Sequence, residues 1–318
     1  MKSRILFASD IHASGVTFSK FLSAFRFYKA DFLIFGGDIT GKAVVPVFKD
    51  GSQLYKATFL NENFEVDETH LETLLSRIGN VGYYGYVTDK NDWEELMHNP
   101  QKIEKLAIDL QVSRLQSWLD LIQEKLPEMR NKGKIFIMPG NDDTYEIDNV
   151  LNNSEFVINP ADKVLNLDGE HEMLGIGNAN MTPWKCHRDI SEEEMSRKIE
   201  GLASRITSME KSIFLIHVPP YGTAIDVGPK LDENFRPVNS PMGGIVTIPV
   251  GSTAVRAAIE KYQPMLGLHG HIHESRGAVK IGRTLCINAG SEYSEGILRA
   301  VIIDISGEKV KDYIFISG

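Results

Sequence analysis

Short apolar runs recur along this chain, and most of them end directly before a polar residue. The first five read RILFAS, FLIFGG, KIFIMP, SIFLIH and PMLGLHG, and helix-like segments separate most of them. Such runs are typical of strands buried on both faces, and their alternation with helices predicts an α/β fold. Three later runs, RTLCIN, ILRAVIIDI and DYIFIS, follow one another without helices, so we expect them to complete a second sheet as a meander.

The composition limits the classes of partner. The formal net charge of -9 over 318 residues disfavours extended nucleic acid or an anionic membrane surface, because binding to phosphates normally requires an excess of Lys and Arg. The start, MKSRILFASD, has too few apolar residues for a signal peptide, and no long apolar run follows, so we expect a cytoplasmic protein without a membrane segment. Cys186 and Cys286 stand in unlike contexts and predict neither a disulfide framework nor a cysteine metal site.

The block of residues 43–133 differs from the rest of the chain in its pattern of predicted strands and helices. The stretch AVVPVFKDGSQLYKATF predicts a hairpin around the turn at Asp50 and Gly51. Asn99 and Pro100 predict the cap and first turn of a long helix, whose apolar residues are Ile103, Leu106, Leu110, Leu115, Trp118, Leu119 and Ile122. We therefore predict a single domain over residues 1–318 with residues 43–133 as an insertion packed on it.

The residues suited to chemistry follow the apolar runs. The motifs are SDIH, GGDITG, PGNDD, LIHVPP and GHIHES, and each comes at the end of a predicted strand. Ligands of open α/β sheets bind at the carboxyl ends of strands, so these motifs are expected to meet in one crevice. A single Asp at a strand end is more often a turn residue, and a single His is more often a packed core residue. Five such motifs in this order favour one functional site.

The donors in these motifs predict a metal centre. They are Asp10, His12, Asp38, Asn141, His217, His271 and His273. Imidazole together with carboxylate suits Mn, Fe, Co or Zn better than Ca or Mg, which prefer oxygen ligands alone. Seven donors exceed one coordination shell with open positions, so two divalent ions that share a carboxylate fit better. Manganese is the metal favoured.

The same motifs resemble the pattern of the calcineurin-like metallophosphoesterases, which is D-x-H, G-D, G-N-H-[DE], H and G-H-x-H. The chain matches it with DIH, GDIT, GNDD, IHVPP and GHIH, from Asp10 to His273. HVPPYGT, GHIHES and NAGSEYSEG also look like a prokaryotic subgroup of small phosphoesterases. The resemblance implies two packed mixed β-sheets flanked by helices in a four-layer sandwich.

The resemblance also implies roles for single residues. Asp10, His12 and His273 would hold the first ion, Asn141, His217 and His271 the second, and Asp38 would bridge them. A water or hydroxide shared by the ions would attack phosphorus in line, so the implied activity is that of a phosphohydrolase, with diesters favoured over monoesters. The implied partner is a small phosphoester or nucleotide, and the oligomeric state stays open.

One position departs from the family pattern. Where relatives have a His after the Asn, this chain has Asp142, which cannot donate a proton when ionised. Asp142 and His217 are the candidate catalytic residues. Asn178, Tyr221 and Asp226 lie in segments that resemble substrate-side loops, although turn chemistry explains them equally well. A metal-loaded scaffold with little turnover is an alternative that Asp142 favours, and the acidic charge disfavours a nuclease of the same family.

Overall fold

The computed structural model describes residues 2–51, 53–241 and 243–318. Its strands are β1 (Lys2–Ala8), β2 (Phe32–Phe35), β3 (Ala43–Lys49), β4 (Leu54–Phe59), β5 (Glu62–Asp67), β6 (Tyr83–Thr88), β7 (Ile135–Ile137), β8 (Val164–Asn166), β9 (Glu172–Ile176), β10 (Ala179–Asn180), β11 (Asp189–Ile190), β12 (Ile213–Ile216), β13 (Val227–Pro229), β14 (Thr247–Pro249), β15 (Leu266–His269), β16 (Gly277–Ile281), β17 (Thr284–Asn288), β18 (Arg299–Ser306) and β19 (Lys309–Ser317). Its α-helices are α1 (Gly15–Phe27), α2 (Leu71–Asn80), α3 (Lys90–Met97), α4 (Pro100–Lys125), α5 (Ile147–Asn152), α6 (Glu192–Ala203) and α7 (Thr253–Tyr262). Among the described helices, none has both the length and the apolar character needed to cross a membrane.

Two mixed β-sheets form the centre of the molecule. The first has the strand order β19-β18-β1-β2-β7, and the second has the order β16-β17-β15-β12-β9-β8. In the first sheet β1, β2 and β7 run parallel, and in the second β9, β12, β15 and β17 run parallel. The parallel strands end on the same edge of their sheet, so the segments that follow them lie side by side.

Three apolar layers hold the sheets and helices together. Side chains from both sheets, including Phe7 and Leu215, meet in a core between them. The outer face of the first sheet packs on helices through residues such as Phe21 and Trp118, and the outer face of the second packs on α6 and α7 through residues such as Ile199. This arrangement confirms the predicted four-layer sandwich of two mixed sheets flanked by helices.

The C-terminal strands differ from the predicted meander. RTLCIN forms β17 of the second sheet, but the next two runs form β18 and β19 of the first sheet, where β18 pairs antiparallel with β1. The residues from Ala300 to Ile305 are all buried. One face of β18 packs in the core between the two sheets and the other packs toward the helices, while β1 and β19 pair with its two edges. The prediction that these runs complete one sheet was wrong.

The block of residues 43–133 contains its own four-stranded sheet, in the order β5-β4-β3-β6. The predicted hairpin is β3 and β4, which pair antiparallel, although Ser52 in its turn lies outside the described residues. A small core that includes Val47, Tyr55 and Ile78 joins this sheet to α2. Asn99 caps α4 as predicted, and the second half of α4 packs on the first main sheet. That the block is an insertion in a single domain stays a prediction.

Candidate metal centre

The five motifs meet at one edge of the two sheets. Asp10 and His12 follow β1, Asp38 follows β2, Asn141 follows β7, His217 follows β12, and His271 and His273 follow β15. Three groups of side chains at this edge, one of which includes Asp142, have ligand atoms within 4.8 Å of one another, as a metal ion requires: Asp10, His12 and His273; Asp38, His217 and His271; and His12, Asp38 and Asp142. The described residues thus contain Asp and His groups suited to divalent metals.

Asp38 lies between two of these groups. Its Oδ1 is 3.4 Å from Nε2 of His217, and its Oδ2 is 3.6 Å from Nε2 of His12. His12 Nε2 is in turn 3.2 Å from His273 Nε2, and His273 Nε2 is 3.5 Å from Asp10 Oδ1. The two oxygens of one carboxylate therefore face different histidines, which is the geometry expected of a carboxylate shared by two ions.

The backbone is held in an unusual conformation at these residues. Asp10, His12, Asp38 and His271 have positive φ values of 59°, 43°, 56° and 65°. Non-glycine residues seldom adopt this region, and it persists where surrounding contacts impose it. His12 N donates to Asp38 O over 3.1 Å, and His271 N donates to the Asp10 carboxylate over 3.0 Å. Such strain is typical of functional sites.

Glycine is required where the loops approach each other. A Cβ on Gly140 would lie 2.1 Å from Oδ1 of Asp38, and a Cβ on Gly270 would lie 2.2 Å from Oδ2 of Asp10. Both distances are far below van der Waals contact, so only glycine lets the backbone pass so close to the carboxylates. These glycines belong to the sequence motifs GND and GHIH.

Other contacts orient the donors toward the centre. Nδ1 of His217 contacts Gly36 O at 2.9 Å, and Nδ1 of His12 contacts Thr40 O at 3.2 Å, which directs each Nε2 inward. Such bonds to the far nitrogen fix the tautomer of a metal-binding histidine. Nε2 of His217 and Oδ1 of Asn141 are buried without a hydrogen-bond partner. Buried polar atoms normally have a hydrogen-bond partner, so two buried atoms without one at this site are consistent with metal ligands.

The electrostatics favour a cation. Burial disfavours the charged form of Asp38 and raises its pKa to about 6, although the nearby charge of His217 lowers it. Burial opposes protonation of His217, but the charge of Asp38 outweighs it and raises the pKa of His217 to about 10. Burial lowers the pKa of His271 to about 3, so this imidazole is neutral and able to bind a metal. A metal ion that binds such ligands displaces protons from them.

Asp142 contacts Lys42, a residue that the motifs do not indicate. Lys42 Nζ lies 3.1 Å from Asp142 Oδ2, while His12 Nδ1 is 4.0 Å from the same oxygen. Burial opposes ionisation of Asp142, but the nearby ammonium of Lys42 outweighs it and lowers the pKa of this carboxyl. Asp142 N also donates to Oδ1 of Asp38 over 3.1 Å.

The next residue, Asp143, holds two of the loops together. Its buried carboxylate accepts hydrogen bonds from Ile39 N, Thr40 N, Thr40 Oγ1 and Gly140 N. The loops after β2 and β7 are thereby locked side by side, which sets Asp38 against Asn141. The sequence pattern singles out Asp142 as the position that departs from the family, but it does not indicate the anchoring contacts of Asp143.

A cavity of about 970 Å³ opens over the metal-ligand cluster. Asp38, Asn141, Asp142, His271 and His273 lie in its wall. Two segments form much of the rest, residues 180–187 and residues 228–231. Three largely apolar side chains, Met181, Trp184 and Ile248, also line it and keep 56%, 63% and 39% of their surface exposed. The wall therefore combines polar and apolar surface.

The predicted substrate residues do not line this cavity. Asn178 donates to Arg188 O over 2.8 Å and accepts from Lys198 Nζ over 2.6 Å, so both ends of its amide are occupied. Asp226 is fully buried and accepts from Gly222 N, Thr223 N and Gly251 N, as a turn anchor does. Tyr221 is 43% exposed outside the cavity. The structure does not bring these three residues to the metal-ligand cluster.

Comparison with known proteins relates the chain to one relative by sequence. A scan against models of protein families finds no match. The uncharacterised protein MJ1162 of Methanocaldococcus jannaschii is 34% identical over 168 residues, which are 52% of this chain and 67% of that protein. The chain belongs to the same family as MJ1162. The name of this relative carries no activity, so the family relationship assigns none.

Solved structures support the fold. One with a TM-score of 0.59 and 14% identity covers 100% of this chain and 99% of its own. The protein TT1561 of Thermus thermophilus has a TM-score of 0.52, 14% identity and the same coverage. A dimetal phosphatase from Danio rerio, with 9% identity over 99% of this chain and 95% of its own, has a TM-score of only 0.47, and we draw no conclusion from it. At these identities the likeness concerns the fold alone.

Proposed function

We propose that this protein is a dinuclear metal-dependent phosphohydrolase that cleaves phosphodiester bonds in small molecules. The observation that carries the proposal is the position of Asp38, whose two oxygens face His217 and His12 at 3.4 Å and 3.6 Å. The ligand atoms Oδ1 of Asn141 and Nε2 of His217 support it, because both are buried without a hydrogen-bond partner and metal ligation would satisfy them. The motif resemblance adds the reaction class.

In this proposal Asp10, His12 and His273 hold one divalent ion, and Asn141, His217 and His271 hold the other. Asp38 bridges them. The combination of imidazole, carboxylate and amide donors suits Mn, Fe, Co or Zn. Two bound ions of this kind supply a nucleophile at neutral pH and neutralise charge on phosphoryl oxygens. The chain itself orients the donors, through Gly36 O at His217, Thr40 O at His12 and Asp189 at Asn141.

The cavity supports an organic phosphoester as substrate. Its volume of about 970 Å³ is far larger than a phosphate ion needs and lies at the upper end of small-molecule sites. The apolar side chains of Met181, Trp184 and Ile248 give the organic part of such a substrate a surface to contact. We also propose that residues 43–133 form an insertion that borders the substrate, since Gln111 of α4 lies in the cavity wall.

The test is a turnover screen of protein that has been stripped of metal and reloaded with Mn²⁺, Fe²⁺, Co²⁺ or Zn²⁺. The panel contains a chromogenic phosphodiester, its monoester, nucleotides and cyclic nucleotides. We expect metal-dependent turnover of the diester in the parent protein and in a His98→Gln control, because His98 is exposed between α3 and α4 and does not line the cavity. We expect Asp38→Asn to lose it. Two bound ions with no turnover of any ester would favour the metal-loaded scaffold instead.

A further inference from the structure

Lys42 stands beside the metal-ligand cluster in the wall of the cavity. It follows Asp38 by four residues, and its side chain lines the cavity with 46% of its surface exposed. Its Nζ contacts Asp142 Oδ2 at 3.1 Å. A lysine at this distance from a largely buried carboxylate has its ammonium group held in place, whereas most surface lysines are mobile.

The anchor of Lys42 is itself fixed to the ligand cluster. Asp142 follows Asn141 directly, and its backbone N donates to Oδ1 of Asp38 over 3.1 Å. Its side chain keeps only 21% of its surface exposed. Asp142 therefore connects the ammonium of Lys42 to the carboxylate of Asp38. Both Lys42 and Asp142 line the cavity.

The charges of this pair matter for a phosphoester. An ionised Asp142 alone would repel a phosphate that approaches the cluster, but Lys42 offsets that charge. An ammonium has three hydrogens to donate, and Asp142 accepts from one of them, so the others are available toward the cavity. Burial lowers the pKa of Lys42, but the carboxylates of Asp142 and Asp38 raise it by more. The net shift is upward, so the ammonium stays charged at neutral pH.

We propose that Lys42 binds a non-bridging phosphoryl oxygen of the substrate and that Asp142 positions it for this contact. The inference rests on the proposed function, because it gives Lys42 a role toward the phosphoester in the same cavity. The contact is a charge-assisted hydrogen bond with no proton transfer. It thus attracts and orients the phosphoryl group, and it does not protonate the leaving group.

The alternative interpretation of the same contact is a salt bridge in which Lys42 only neutralises Asp142. The two interpretations differ when both residues are removed. If Lys42 only offsets Asp142, the double variant Lys42→Met with Asp142→Ala recovers the parent's affinity for phosphate, because neither charge remains. If Lys42 binds the phosphoryl oxygen, the double variant is as weak as Lys42→Met.

The experiment measures binding of orthophosphate by calorimetry, together with kcat and KM on the chromogenic diester, in Mn²⁺-loaded protein. The variants are Lys42→Met, Lys42→Arg, Asp142→Ala, the double variant, and Lys280→Met as a control at an exposed position of β16. We expect Lys42→Met to weaken phosphate binding and raise KM by roughly tenfold to a hundredfold, as loss of a charge-assisted hydrogen bond does. Lys42→Arg should recover most of the affinity, and Asp142→Ala should lose less than Lys42→Met.

Each result decides the proposal. Unchanged phosphate affinity and KM in Lys42→Met, or recovery in the double variant, would overturn it. Metal content measured on the same samples should stay at the parent value, and a lower content in Lys42→Met would also overturn it, because the lysine would then organise the metal ligands. If the parent binds phosphate but cleaves no ester, the proposed function fails, while the calorimetry still tests Lys42.

Discussion

The side-chain amide of Asn141 donates a hydrogen bond to Oδ1 of Asp189 over 2.9 Å. This contact occupies the amide nitrogen, while Oδ1 of Asn141 is buried without a hydrogen-bond partner. The other oxygen of Asp189 accepts from Thr182 N and Oγ1 and from Cys186 N. Asp189 thus links the orientation of a candidate metal ligand to a segment that lines the cavity.

Replacement of Asp189 is expected to weaken one metal more than the other. In Asp189→Ala the Asn141 amide loses its anchor, so the affinity for the ion that we assign to Asn141, His217 and His271 should fall by roughly tenfold to a hundredfold. Asp189→Asn keeps an acceptor for the Asn141 amide, so the affinity for this ion should fall less in this variant. A competitive metal titration with a fluorescent chelator measures both. Equal loss of both ions in Asp189→Ala would indicate a general collapse of the loops.

Asp38 and His12 should differ in their effect on metal content. Asp38→Asn removes the carboxylate that we propose is shared and would leave both cations short of negative charge, so both should be lost. His12→Gln should mainly weaken one ion, since in the proposed assignment His12 is a ligand of only one of the two. Native mass spectrometry counts the ions per chain in each variant. Two tightly held ions in Asp38→Asn would refute the bridging role.

The position of Asp142 predicts a particular response to leaving groups. Asp142→His places a donor matched to neutral pH at the position where the metallophosphoesterase pattern that the motifs resemble has a His, so it should accelerate cleavage of poor leaving groups more than good ones. The measurement is kcat/KM for aryl phosphodiesters graded by the pKa of the leaving phenol, in the parent, Asp142→His and Asp142→Ala. The parent and Asp142→Ala should show similar slopes. A flatter slope in the parent than in Asp142→Ala would mean that Asp142 itself donates a proton.

The exposed ring of Trp184 should matter only for the organic part of the substrate. Trp184→Ala is expected to raise KM for diesters with aromatic groups by roughly threefold to tenfold, as loss of an aromatic contact does, and to leave methyl esters unchanged. Phe27→Ala is the matched control, because Phe27 is 77% exposed and does not line this cavity. Equal effects on aromatic and methyl esters would place the ring away from the bound organic group.

The α/β class and the meeting point of the motifs could be predicted because both follow local rules, whereas the four-layer sandwich was implied by the resemblance of the motifs. Apolar runs buried on both faces are visible in the sequence, and the residues after parallel strands must share one sheet edge. The pairing of β18 with β1 could not be predicted, because its partners lie at opposite ends of the chain and either sheet could have accepted an apolar strand. Long-range pairing leaves no local signal.

The same limit explains the contacts that sequence reasoning missed. Lys42 and Asp142 are separated by a hundred residues, and Asp189 meets Asn141 across 48 positions. Neither contact is indicated by a sequence motif or by a periodic spacing of residues. Asn178 and Asp226 are the opposite case, because the sequence suggested a role that the structure does not support. The side chain of Asn178 hydrogen-bonds to Arg188 O and to Lys198, and that of Asp226 accepts from backbone N–H groups. Such contacts appear only when the loops are packed.

Turnover measured against the number of bound metal ions tests the proposed dinuclear chemistry without any substitution in the chain. Metal-free protein is titrated with Mn²⁺, and the rate of cleavage of the chromogenic diester is recorded beside the ions bound per chain. We predict no turnover without metal and a maximum at two ions per chain. A maximum at one ion, or two bound ions without turnover of this or any other ester in the panel, would contradict the proposal.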